Sequence, residues 1–108
     1  MPAAPATTGV EVTIPVAVTL TDKGVHFSHR LHPTTDTTIR VKVTNRSSAR
    51  RWFKLGWRKT HTLQRGGTEL FYYSFHVPGR TAWRSQATHG KTFHGTMRVK
   101  LGTPYGIG

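Results

Sequence analysis

The sequence predicts an all-β sandwich or barrel of about seven short antiparallel strands. Three observations carry this. Apolar residues recur with period two along most of the chain, the pattern of a strand with one buried face. Turn signals separate the apolar runs at short intervals. No apolar stripe of helical period is long enough to support a helix, and threonine is abundant where good helix formers are scarce.

The elements follow in order. Val10, Val12, Ile14, Val16, Val18 and Leu20 alternate with Glu11, Thr13, Pro15, Ala17 and Thr19. Pro15 lies on the polar side, which predicts an edge strand or a break in two. Asp22-Lys23-Gly24 is a turn, after which Val25 and Phe27 alternate with His26 and Ser28. Ile39, Val41 and Val43 point inward if Arg40, Lys42 and Thr44 point out, and Asn45-Arg46-Ser47-Ser48 is a loop. Phe53, Leu55 and Trp57 share a face and are expected in the core. Gln64-Arg65-Gly66-Gly67 is a turn. Phe71, Tyr73, Phe75 and Val77 share a face opposite Leu70, Tyr72, Ser74 and His76. Pro78-Gly79 is a turn, Ala82-Trp83 a short strand core, and Met97, Val99 and Leu101 the inward side of a last strand.

Composition narrows the chemistry. The chain has 108 residues, enough for one core and too few for two. It has no cysteine, which excludes disulfides, cysteine-type zinc sites, iron–sulfur clusters, thiol catalysis and a blue copper centre. Four carboxylates leave little material for paired-carboxylate catalysis or an all-oxygen cation cage. No segment is apolar for the 18 or so residues a membrane span needs. The start, Met1-Pro2-Ala3-Ala4-Pro5-Ala6-Thr7-Thr8, has neither a basic nor an apolar region of the kind a signal peptide carries.

The formal net charge is +12. Between Asp36 and Glu69 there is no acid, but Arg40, Lys42, Arg46, Arg50, Arg51, Lys54, Arg58, Lys59 and Arg65 all occur. After Glu69 come Arg80, Arg84, Lys91, Arg98 and Lys100 with no acid at all. The basic excess therefore belongs to the folded body. It draws polyanions: nucleic acid, an acidic membrane surface or an acidic protein.

The order of the pieces resembles a known family. Asn45 is followed by Arg51-Trp52-Phe53-Lys54-Leu55-Gly56, then Leu63-Gln64-Arg65-Gly66, then Phe75-His76-Val77-Pro78-Gly79. Trp83-Arg84-Ser85, Phe93-His94-Gly95 and Met97-Arg98-Val99 close the series. From about Ile39 to Leu101 this is similar to the cupredoxins, the plastocyanin and azurin type of sandwich. The resemblance implies an antiparallel Greek-key β-sandwich over residues 10–102; the small Ala/Pro/Thr run before it reads as a flexible lead-in at 1–9, and 103–108 as a tail. It also suggests an extracytoplasmic setting. The ligands do not carry over: Arg51 stands at the first histidine, Ser85 at the cysteine, Thr88 or His89 at the second histidine, and Phe93 at the axial methionine. A blue copper site needs a thiolate and two imidazoles, so the scaffold is implied without that chemistry.

Other residues able to carry chemistry are few. His26, His29 and His32 could hold copper or zinc if a turn gathered them, although in an extended segment His29 faces away from the other two. His61, His89 and His94 are a second such set. No acid sits in a triad motif, and no phosphate-binding glycine loop exists. Asn45-Arg46-Ser47 is a glycosylation sequon. The run from Arg50 to Lys59 interleaves cations and aromatics, and Trp52 falls on the face of Lys54, away from Phe53 and Leu55.

These readings predict a non-catalytic structural or binding module without a cofactor. It docks through a basic face built from Arg46, Arg50, Arg51, Trp52, Lys54, Arg58 and Lys59 onto an acidic protein or a nucleic-acid-containing assembly, itself as a subunit or oligomer. A copper- or zinc-binding protein using histidines alone is the alternative, and a direct nucleic-acid binder the second alternative.

Overall fold

The computed structural model describes residues 12–29, 31–87 and 90–102. The lead-in expected over 1–9 and the tail expected over 103–108 lie outside them, as do Thr88 and His89. The described residues contain no helix. They form eight strands: β1 Val12–Thr21, β2 Gly24–Phe27, β3 Thr37–Asn45, β4 Arg51–Leu55, β5 Arg58–Lys59, β6 Thr68–Ser74, β7 Gly79–Ala87 and β8 Thr92–Val99. Two four-stranded sheets result, ordered β2-β1-β3-β6 and β5-β4-β7-β8. The chain crosses between sheets after β3, β5 and β6.

The alternation read from sequence fixes the two inner faces. Val16, Val18 and Leu20 of β1, Ile39, Val41 and Val43 of β3, and Phe71 and Tyr73 of β6 are buried. From the second sheet Phe53 and Leu55 of β4 and Met97 and Val99 of β8 meet them, with Leu63 and Phe75 from the connections. Phe27 packs edge-on against Phe53 and Trp83, with ring centroids 6.0 and 5.3 Å away.

Several expectations need correction. One ladder is parallel: β1 pairs β3 from Val12↔Thr37 to Leu20↔Asn45. Pro15 does not break β1 in two; β2 pairs only Val18–Thr21, so the Pro15 end is bonded to β3 alone and forms a local edge, where a residue without an N–H is tolerated. Trp57 is not in the core; it is 70% exposed. Gly56, at φ 56°, ends β4 in a turn, so the alternation does not run through it. Val77 and Leu101 are likewise exposed, beyond the ends of β6 and β8. The short strand expected at Ala82-Trp83 is a nine-residue strand, and β8 begins at Thr92.

Two local devices fix parts of this framework. Gly95 sits opposite Trp83, and a Cβ there would lie 2.6 Å from the indole. The indole thus lies across the β8 backbone, where only glycine leaves room. Asn45 is fully buried and ties the end of β3 to two loops. Its Nδ2 donates to Ala49 O and Leu63 O, both at 2.8 Å, and its Oδ1 accepts from Ser47 N at 3.0 Å and Ser47 Oγ at 2.6 Å. The sequon nitrogen is therefore committed inside the fold.

Candidate functional site

Three of the residues at the expected metal-ligand positions come together, Arg51, Ser85 and Phe93; Thr88 and His89 lie outside the described residues. Ser85 pairs with Phe53 on one side and Phe93 on the other. Arg51 starts β4 and shares the inward face of Phe53 and Leu55. Arg51 is 2% exposed and Ser85 0%. The guanidinium donates from Nε and Nη2 to Ser85 Oγ at 3.1 and 3.0 Å, and from Nη1 to Thr21 O at 2.7 Å. Ser85 Oγ in turn donates to Trp52 O at 2.8 Å. The Phe93 ring centroid lies 5.1 Å from the guanidinium carbon.

The donor chemistry of this cluster does not fit copper. A guanidinium offers no lone pair, the Ser85 hydroxyl already donates to one neighbour and accepts from another, and Phe93 has no ligating atom. A cation is present nonetheless, supplied by the chain itself. Burial pulls the Arg51 pKa down from its ordinary value, and the charge of Asp22 opposes this. Asp22 is held below the usual carboxylate range chiefly by the Ser48 backbone N–H and hydroxyl, each at 2.8 Å from its Oδ1, with Arg51 and Arg65 adding to the effect. Arg51 was expected on the exposed binding face. Its burial, with its N–H groups spent on Ser85 and Thr21, removes it from that face.

The described histidines are not gathered. His26, His29 and His32 are all exposed, and His29 Nδ1 bonds the neighbouring Ser28 Oγ at 2.9 Å. His61 Nδ1 meets Glu69 Oε1 at 3.1 Å, while His94 lies on β8 opposite Arg84. Among the described residues no group of three or more His, Cys, Asp or Glu is placed to hold a metal ion.

The remaining cations have a different geometry. Lys54 of β4 pairs with Lys59 of β5 and with Arg84 of β7, and Arg84 pairs with His94 of β8. The three cations and the His94 imidazole form one row across the whole second sheet, on its outer face, where all four side chains are exposed. With strands about 4.8 Å apart the row is about 14 Å long. Arg80 pairs with Arg98 on the same face, two residues along from Ala82↔Thr96. Trp52 is half-buried beside the row, with Lys59 Nζ 4.5 Å and the Arg84 guanidinium carbon 6.0 Å from its ring centroid.

Of the other residues expected on the binding face, Arg46 and Arg50 are exposed in the loop between β3 and β4. Arg58 turns aside, over the rings of Trp57 and Phe71 at 5.6 and 5.2 Å. Arg80, Arg84, His94 and Arg98 were missed as members of the face. No carboxylate occurs on β4, β5, β7 or β8. Like charges directly opposite one another destabilise a sheet, so the row costs the fold stability unless an anion covers it.

No protein-family model matches the sequence. No curated protein matches it either. Solved structures do match in fold. A copper nitrite reductase from Nitrosomonas europaea superposes with a TM-score of 0.56 at 10% identity, over 83% of this chain and 41% of that one. An auracyanin from the photosynthetic bacterium Roseiflexus castenholzii gives 0.59 at 17% identity, over 83% of this chain and 98% of that one. A blue copper oxidase from Nitrosomonas europaea gives 0.57 at 12% identity, over 88% and 40%. This chain thus spans less than half of each Nitrosomonas protein and nearly all of the auracyanin. Identities this low speak to architecture alone: the chain has the cupredoxin fold, with an arginine, a serine and a phenylalanine clustered where the ligands of that fold were expected.

Proposed function

We propose that this chain is a non-catalytic binding module that docks an extended anionic partner on the outer face of the β5-β4-β7-β8 sheet. The observation that carries the reading is the cross-strand row Lys59, Lys54, Arg84 and His94, unaccompanied by any carboxylate on its sheet. A bound polyanion relieves the repulsion within the row and releases the counterions condensed on itself, both of which favour association. The buried cluster supports a binding role over electron transfer, because Arg51, Ser85 and Phe93 offer no metal-ligating set.

The test separates this face from net charge. Lys54→Gln/Arg84→Gln removes two charges from the row. Arg40→Gln/Lys42→Gln removes two exposed charges from the outer face of the other sheet, where Lys42 pairs with Ala17 and Leu70. Binding to dextran sulfate is measured by anisotropy at several salt concentrations. The expected result is a loss of tenfold or more for the first pair and less than threefold for the second. Equal losses would show that bulk charge, not this face, does the binding.

A further inference from the structure

We infer that the anionic partner is nucleic acid, held by its phosphate backbone without reading of the bases; this rests on the polyanion reading above. The argument starts from what the face lacks. A protein partner is anchored by apolar or aromatic side chains that become fully desolvated at the centre of the interface. Among the described residues the exposed large apolar ones are Trp57, Leu70, Tyr72, Val77 and Leu101. Leu70 and Tyr72 are on β6 of the opposite sheet, and the other three are in turns or connections. None stands within the row; Trp57, in the β4–β5 turn next to it, has its ring against Tyr73 and under Arg58. Interfaces with nucleic acid are, by contrast, polar and strongly positive throughout.

Trp52 is the aromatic in contact with the row, and its ring is already engaged. Lys59 approaches it from β5 and Arg84 from β7. A ring so engaged is a poor platform for a base. It acts instead as a post that holds two flexible cations in place, reducing the side-chain entropy lost when they meet phosphates. The remaining outward positions near the row are Ala82, Gln86, Thr92 and Thr96, and the last three are side chains that commonly hydrogen-bond phosphate and sugar oxygens. Gln86 alone among them carries the amide used for bidentate base contacts. Charge and hydroxyls dominate this face, and they recognise the backbone that every sequence shares.

The experiment uses the full chain and labelled probes of similar charge: a 20-nucleotide oligo-dT, oligo-dA, an abasic deoxyribose-phosphate chain, polyglutamate, and phosphatidylserine vesicles. Expected is binding of dT, dA and the abasic chain within about threefold of one another, with polyglutamate and vesicles at least tenfold weaker at about 0.1 M salt. The slope of log affinity against log salt should flatten by about 1.4 for Lys54→Gln/Arg84→Gln, at about 0.7 for each phosphate of a single strand that is no longer neutralised. Circular dichroism and the melting temperature of that variant report whether it is folded, and Arg80→Gln/Arg98→Gln supplies an independent pair predicted to flatten the slope in the same direction. Polyglutamate or vesicles binding as tightly as dT would overturn the nucleic-acid assignment while leaving the polyanion reading intact. A tenfold loss on the abasic chain would show base stacking and overturn backbone-only recognition. Failure of every probe at low salt would overturn both.

Discussion

Replacing Ser85 by alanine removes a single hydroxyl, yet it is expected to cost more than removing the charged group that hydroxyl serves. Ser85 Oγ accepts from Nε and Nη2 of Arg51 at 3.1 and 3.0 Å in a fully buried setting. In Ser85→Ala those donors face a methyl group while the guanidinium stays charged and buried. Breaking one partner of a buried charged contact costs about 3 kcal/mol or more. Arg51→Met removes the charge and keeps an apolar stem of similar length; it leaves Thr21 O without the Nη1 donor and frees one side of Ser85, for about 2 kcal/mol. The double variant has no stranded charge and should also lose only about 2 to 3 kcal/mol, so the coupling is about 2 kcal/mol. Urea unfolding of the four proteins at pH 7, with unchanged m-values, measures it. Ser85→Ala alone should lower Tm by more than about 10 °C. Single-variant losses that add within about 0.5 kcal/mol would refute the claim that Ser85 chiefly serves the buried cation.

Further outcomes follow from the same contacts. Gly95→Ala must push a methyl against the Trp83 indole, 2.6 Å from where its Cβ would lie, and should cost about 2 kcal/mol in chemical denaturation; pairing it with Trp83→Leu should recover part of that loss. Asn45→Ala strands the carbonyls of Ala49 and Leu63 and should cost about 3 kcal/mol, while secretion from a eukaryotic cell should leave Asn45 without a glycan, checked by intact mass. The Asp22 pKa is lowered by folding, so its contribution is present above the ordinary value of 3.8 and is lost as pH falls through the lower folded value. The Tm difference between wild type and Asp22→Asn should therefore be constant from pH 7 to 5 and shrink below about pH 4; a difference that persists at pH 2 would contradict this.

How much of this was legible in the sequence depends on contrast between neighbouring positions. Val16, Val18 and Leu20, or Ile39, Val41 and Val43, stand against threonine, lysine and arginine, and their burial was readable. In β7 the inward positions are Thr81, Trp83 and Ser85 and the outward ones Arg80, Ala82, Arg84 and Gln86. That contrast is too weak to show a nine-residue strand, so most of the proposed binding face is not visible in the sequence. Trp57 was misplaced because period two was carried through Gly56. Arg51 was misplaced because charge outweighed phase: it alternates with Trp52 and Lys54 and shares its side with Phe53 and Leu55, so strict periodicity already put it inside. The row itself is a matter of register between strands up to 40 residues apart, from Lys54 to His94, and register across sheet neighbours is not written in local pattern.

The two cationic features obey opposite rules, and the difference explains why one is structural and the other is available for binding. Arg51 is desolvated and must be satisfied from within, and Ser85 Oγ and Thr21 O give each of its three guanidinium nitrogens a partner. Lys54, Lys59 and Arg84 keep their hydration, so their exposure carries no desolvation penalty, but their mutual repulsion is left uncompensated within the sheet. A buried cation that is complete stabilises one conformation. A solvated row that is incomplete is a standing electrostatic field about 10 Å long from Lys59 to Arg84, which fits the proposal that an extended anion completes it. The neighbouring Trp52 ring holds two members of that row without neutralising either, which is the arrangement expected if the charges are to be kept in position and still left for a partner.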